Sequence, residues 1–268
     1  MTAAPTTVAA PVRRTLPLMR ALLMVFCALT LLAVGALFVL SDNTAETFAW
    51  TIKPSITAAF LGAGYAAGFV LVALSLRDPV WAHNRVPVLT IFVFVALTLV
   101  ATLVHINKMH FDDDFGGLSF LAKAAAWFWL AVYVFVPVAM LVALFRQERA
   151  PGDDPAPEHP VPLLLRVALG IESAVLLVVG LMLFVDPTTA PRVWPWELTP
   201  FTGRVIAAWL VAFGIATALA AAAGDLERLR TAAIAYTTFG VLVLVTVAMT
   251  VTGAIGWRLA PAPGRIRV

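Results

Sequence analysis

Charge is what this sequence has least of. Asp, Glu, Lys and Arg make up 12% of its 268 residues, against 62% hydrophobic, and the mean hydropathy is +0.95. A water-soluble domain carries about a quarter charged residues, so this chain has too little polar surface to cover itself in water. It reads as an integral membrane protein. Cysteine is nearly absent too: Cys27 stands alone inside an apolar run. That excludes an intrachain disulfide and argues against a thiolate metal cluster. Lysine is confined to Lys53, Lys108 and Lys123.

The missing motifs narrow the chemistry further. No lysine falls in the last apolar run, which excludes a retinal Schiff base of the microbial-rhodopsin kind there. There is no Walker loop and no dinucleotide fingerprint, nor paired histidines within two spans as in haem-bearing bundles. No cofactor is expected. The formal charge is +3 and the pI near 9.4, but the cations sit mainly at the ends of apolar runs. There, lipid headgroups and retention at the cytoplasmic face explain them, not nucleic acid. The excess of Arg over Lys, with abundant Ala, is the compositional bias of a GC-rich bacterial genome.

What is present is a series of apolar runs. A core of about 30 Å needs roughly 20 residues of helix, and seven runs meet that test: 19–40, 56–76, 88–106, 124–145, 163–185, 205–223 and 231–257. The fold class expected is therefore all-α, a seven-transmembrane-helix bundle. The first run follows a basic stretch, yet it is longer than the apolar part of a signal peptide. Trp50, Trp81, Trp127, Trp194, Trp196 and Trp257 fall near the ends of runs, where an aromatic belt is expected. Residues 1–16, rich in Ala, Pro and Thr, are expected to form a disordered leader. Residues 147–162 hold five prolines, together with Asp153, Asp154 and Glu158, a composition expected to stay extended as a linker.

An echo organises the runs. Trp50-Thr-Ile-Lys-Pro54 precedes the second run and Trp196-Glu-Leu-Thr-Pro200 the sixth, 146 residues apart. At the same spacing Gly68 matches Gly214. Asp78 and Asp225 follow the two runs, and Arg20 and Arg166 stand near the starts of the first and fifth. The expected layout is three helices, one linking helix and three helices: residues 17–123 as the first repeat, 124–146 as the link, 163–257 as the second repeat and 258–268 as the tail. An odd linking helix gives both units the same direction across the bilayer, hence parallel repeats about the membrane normal. With the N-terminus inside, ten Lys and Arg lie in inner segments and five in outer loops, eight with the tail. The bias places the N-terminus and the proline-rich linker in the cytoplasm, in the plasma (inner) membrane of a bacterium.

Glu172 stands about ten residues into the fifth run, near the bilayer middle, where a carboxylate costs about 2.5–3.5 kcal/mol on insertion scales unless neutral or paired. It reads either as a proton or cation site or as a neutral acid hydrogen-bonded for packing, expected to face the bundle interior. Tyr65, Tyr236 and His105 are the other candidates for a substrate or ion pathway; Tyr133, Thr237 and Thr238 are further scattered polar groups. His105 and His110, with Asp112, Asp113 and Asp114 just beyond, supply ligand types for a divalent metal, though a spacing of five matches no defined motif. The bland alternative is a hydrated acidic loop. Trp50 and Trp196 are expected to be interface anchors, with Pro54 and Pro200 setting the entry to their helices. Gly64 and Gly68, and Gly214 and Ala218, form small-residue faces suited to close helix contact, within the bundle or between subunits.

The stretches Phe48-Ala-Trp-Thr-Ile-Lys-Pro54 with Leu61-Gly-Ala-Gly-Tyr65, and Trp194-Pro-Trp-Glu-Leu-Thr-Pro200, resemble motifs of uncharacterised bacterial multi-pass membrane proteins, a likeness that implies no activity. The three-one-three layout is similar to that of the SWEET sugar transporters, without the Pro-Gln motif of their bacterial relatives. Three functions follow as expectations: a small-solute or ion carrier with its pathway between the repeats; a non-catalytic membrane subunit or scaffold; and a membrane metal protein using His105 and His110. A polar cavity reaching Glu172 would mark the first, solid packing the second.

Overall fold

The computed structural model describes residues 11–111 and 117–259. Among them seven helices are long and apolar enough to cross a membrane. They are α1 (Pro17–Val34, continued by a π-helical turn at Gly35–Val39), α2 (Ser55–Arg77), α3 (Trp81–Val104), α4 (Phe120–Glu148), α5 (Leu163–Val185), α6 (Pro200–Ala223) and α7 (Leu226–Leu259). The all-α seven-helix bundle is as expected. The helix starts move: α3 begins at Trp81 where 88 was expected, and α6 at Pro200 where 205 was expected. Pro87 lies inside α3 and Pro137 inside α4, because neighbouring helices satisfy the backbone that proline frees. Pro200 opens α6 at its first position, and the Thr199 side chain caps it by accepting from the Thr202 amide at 3.3 Å.

Two connectors share one design. After α1 come a 3₁₀ turn at Ser41–Asn43 and a single helical turn at Thr44–Thr47; after α5 come the same elements at Pro187–Thr189 and Ala190–Val193. Each pair is 146 residues apart, the spacing of the two tryptophans. The segments leading into α1 and α5 match as well. The Thr15 amide donates to Pro79 O (2.8 Å) and the Trp81 amide to Arg13 O (3.0 Å); the Val161 amide donates to Gly224 O (3.0 Å) and the Leu226 amide to His159 O (2.8 Å). Each segment is thereby clamped onto the loop between the second and third helices of its own half.

These bonds change two expectations. The leader is held in place from residue 11 onward, and within the expected extended linker Asp153 pairs with Arg13 through the backbone at 2.9 Å. Arg85 ties the linker's Asp154 at 2.6 Å and Glu148 at 3.0 Å. Proline-rich segments pack here because their few free amides and carbonyls find partners in one another.

Packing follows residue size. Gly180 and Gly214 let α5 lie against α6: a Cβ on Gly214 would stand 2.8 Å from Leu177 Cγ, one on Gly180 2.9 Å from Val211 Cγ2. Gly62 does the same for α2 against the π turn, since its Cβ would meet Phe38 N at 2.5 Å. Between the halves, α2 packs on α7 and α3 on α6, so the second helix of each half rests on the third helix of the other. The helix α4 packs on both α1 and α3, whereas α5 and α7 do not pack closely together.

Candidate functional site

The middle of the bundle is built on Trp209, halfway along α6. A tryptophan at that depth has no headgroup to sit among, and it is buried as the central plate between the halves. Its ring stacks on Phe94 of α3 with centroids 3.9 Å apart, meets Tyr65 of α2 edge-on at 5.6 Å, and fits because Gly64 leaves room; a Cβ there would lie 3.1 Å from the indole. The hydroxyls of Tyr65 and Tyr133 (α4) share a 2.6 Å hydrogen bond, both rings buried. Neither hydroxyl is left bare in an apolar interior.

Around this plate runs a partly open chamber of about 640 Å³ between the halves, a size that holds a small organic ligand. Phe26, Leu71, Phe128, Trp209, Phe213 and Leu229 set its character. Its threonines contribute little polarity. Thr30, Thr90, Thr217 and Thr237 each turn the hydroxyl back to the carbonyl four residues earlier, at 2.7, 2.8, 3.1 and 2.9 Å, the usual habit of threonine in a membrane helix. Few polar groups remain at the wall: the bonded pair Tyr65 and Tyr133, the buried Trp209 indole N–H, which has no hydrogen-bond partner among the described residues, and Glu172 of α5 and Tyr236 of α7, which both border the chamber. The cavity reaches Glu172, but its lining is apolar, not the polar lining expected of a small-solute or ion pathway.

The two Trp-Pro loops meet across the halves. Trp50 Nε1 donates to Thr202 Oγ1 at 3.3 Å, and Trp196 Nε1 donates to Thr57 Oγ1 at 2.8 Å. Thr57 and Thr202 are each the third residue of their helix, so each half's tryptophan is fastened to the opening turn of the other half. Trp50 is buried among Phe48, Trp129 and Phe201. It is a core residue, not the lipid-facing anchor expected; Trp196 is half-buried, and its bond to Thr57 gives it the same bridging role. Trp81, also expected at the interface, is buried and donates to Glu148 at 3.1 Å. Pro54 and Pro200 stand at the helix starts as expected.

The histidines take separate partners. His105 Nε2 accepts from Arg204 at 2.6 Å while its ring stacks on Phe201. Burial, then the charges of Arg204 and Lys108, push its pKa down. His110 is buried; Nδ1 donates to Phe48 O at 2.8 Å and Nε2 accepts from Thr51 Oγ1 at 3.0 Å. One neutral tautomer satisfies both bonds. Burial lowers its pKa, the Phe48 contact partly opposing that. Asp112, Asp113 and Asp114 lie outside the described residues, and among the described residues no three His, Cys, Asp or Glu side chains gather as a metal site would require. Gly64, Gly68 and Gly214 face Trp209, Thr30 and Leu177 within the chain, while Ala218 is exposed. The small-residue faces thus serve packing inside the bundle.

Residue chemistry had not singled out Trp209, Thr57 or Thr202; the one available signal was a tryptophan far from either end of its span. No protein-family model matches the chain, and no curated protein or solved structure is detectably similar to it.

Proposed function

We propose that this multi-pass membrane protein is a carrier for a lipophilic small molecule, built by duplication of a three-helix unit, with the binding chamber between the two copies. The chamber carries the reading: it lies between the halves, it is lined by aliphatic and aromatic side chains, and its polar groups are few, namely the Tyr65–Tyr133 pair, the Trp209 N–H, Glu172 and Tyr236. An ion or sugar crossing it would lose its hydration shell and find few replacements. A hydrocarbon or aromatic ligand loses nothing there. The constant spacing of 146 residues in both connectors, and the matched clamps before α1 and α5, support the duplication. The helix α4 is the added link. The excess of Arg on one side supports an N-terminus in the cytoplasm.

A second reading, a membrane subunit packing against partner helices, draws on the exposed apolar faces of α5 and α7 (Ile171, Val175 and Val178; Leu244 and Met249). Photolabelling separates the two. In nanodiscs containing a diazirine-bearing palmitoyl lipid and a diazirine-bearing C16 alcohol, a carrier gives adducts on Trp209, Phe213 and Tyr65. Adducts confined to the lipid-facing Phe135, Val138 and Leu141 would refute the carrier and favour the subunit.

A further inference from the structure

We infer that the chamber opens sideways to the bilayer between α5 and α7, and that Glu172 and Tyr236 form a polar threshold there for an amphiphile whose head donates and accepts hydrogen bonds, such as a long-chain alcohol. The inference rests on the carrier reading above and adds its entrance and ligand class. It begins from a difference between the halves. In the first half, the first and third helices (α1 and α3) are separated by a gap that α4 covers, packing on both. In the second half, the corresponding helices α5 and α7 flank a matching gap, and among the described residues no helix covers it.

The side chains at the two gaps differ accordingly. At a spacing of 146 as far as Gly68 and Gly214, and of 145 from the clamp residues Trp81 and Leu226 onward, Glu172 corresponds to Phe26 and Tyr236 to Ile91. Phe26 and Ile91 are 6% and 8% exposed, as residues beneath a covering helix should be. Tyr236 is 42% exposed and Glu172 is half-buried. The covered gap thus holds two apolar residues and the open gap two polar ones, at mid-membrane depth. A carboxyl and a phenol facing lipid are costly there, and an uncovered gap lined with Phe and Ile would pack against lipid without that cost.

The backbone records the same asymmetry. In the first half the Leu16 amide donates to Gln147 of α4 at 2.7 Å. The corresponding residue in the second half is Pro162, which has no amide to satisfy. Trp81, buried with its indole on Glu148 of α4, corresponds to Leu226, which is 40% exposed. The second half is therefore adapted to having no fourth helix at this place. What meets Glu172 and Tyr236 at the opening comes from the bilayer. Glu172 on one side of the gap is acceptor-rich and Tyr236 on the other is a donor, both bordering the chamber, so a hydroxyl head can bond to either as its tail passes inward to Phe213 and Trp209.

The test closes the opening reversibly. In a Cys27→Ala background, Leu169→Cys on α5 and Ala233→Cys on α7, both chamber-lining, are bridged with a short bis-methanethiosulfonate. The diazirine C16 alcohol then serves as probe in nanodiscs. Bridging should abolish adducts on Trp209 and Phe213, leave those on Phe135 unchanged, and be reversed by dithiothreitol. Chamber labelling that survives the bridge overturns the side entrance while leaving the carrier intact; no chamber labelling even when unbridged removes both. For the head group, unlabelled hexadecanol should compete about tenfold better than hexadecane, the worth of one hydrogen bond in a dry site. Glu172→Leu should level the two competitors, and Glu172→Gln, which keeps an acceptor, should restore most of the difference. Equal competition by alcohol and alkane in the native protein overturns the polar threshold.

Discussion

The reciprocal tryptophan bonds make the sharpest quantitative prediction. Thr57→Val and Thr202→Val each remove one hydroxyl and keep the side chain's shape, so the loss is confined to hydrogen bonding. Hydrogen bonds between membrane helices are worth about 0.6 kcal/mol on average and up to about 1.7, but a buried donor left without a partner costs about 1–3 kcal/mol. The two sites differ in which figure governs. Trp50 is 2% exposed and boxed in by three aromatic rings, so losing Thr202 strands its N–H, and Thr199 loses its 3.0 Å contact as well. Trp196 is half-buried and can turn its N–H toward water or headgroups. Thr202→Val should therefore cost about 1.5–2.5 kcal/mol and Thr57→Val about 0.5–1 kcal/mol, although the Thr57 bond is the shorter. Unfolding in mixed SDS and dodecyl maltoside micelles, followed by far-ultraviolet circular dichroism, measures both. Thr202→Ser, which keeps the hydroxyl, should recover most of the loss. Adding Trp50→Phe to Thr202→Val should cost less than the sum of the two changes, since the indole donor has then gone. A silent Thr202→Val, or a Thr202→Ser as damaging as the valine, would refute the reasoning.

Three other outcomes are expected. Gly214→Ala should destabilise by about 1–3 kcal/mol through overpacking against Leu177, whereas Gly170→Ala, with nothing within 4 Å of the added carbon, should be neutral or stabilising by up to about 1 kcal/mol; the same micelle titration compares them. Acid should weaken the fold: His105 and His110 have folded pKa values below the ordinary 6.5, so the unfolded chain takes up protons first. Their contribution is complete above about pH 6.5 and is lost as pH falls through the lowered values, and His110→Asn should flatten that part of a stability–pH curve. Finally, a cysteine at Asp154 in a Cys27→Ala background should resist an impermeant thiol reagent in intact cells and react after permeabilisation; labelling of intact cells would reverse the orientation.

The fold was legible because the bilayer imposes a length on apolar runs, and seven runs have that length. Boundaries were less so. The third apolar run starts at 88, yet α3 begins at Trp81 and runs through Pro87, since a membrane bundle supplies other partners for the freed backbone. The Trp-Pro echo pointed to paired structures, but its function was misread. Near the end of a span, tryptophan is by default a headgroup anchor, and only the fold brings Trp50 to Thr202 across 152 residues. The acidic Glu172 was legible as an acid far from either end of its run; that Tyr236, on another helix, borders the same chamber could not be read from spacing. The apolar lining was hidden for a related reason. The chamber's threonines look polar in sequence, and only the backbone geometry shows their hydroxyls turned onto their own helices.

The differences between the halves carry more information than their likeness. Matching connectors and clamps satisfy packing alone, and they would persist in a molecule with no task. A task shows where the second unit departs from the first at positions that packing leaves free. The covered gap needs apolar residues at Phe26 and Ile91 because α4 lies over them. Lipid over the open gap makes the same demand, more strictly, since hydrocarbon offers no hydrogen bonds. Stability alone would therefore keep residues 172 and 236 apolar in both units. Instead they are a half-buried Glu and an exposed Tyr, both bordering the chamber. Neither the helix ends nor the Gly214 crossing supplies a reason for that choice. A polar ligand group at this opening does, because the acid and the phenol then complete the hydrogen bonds of a head that the rest of the wall cannot serve.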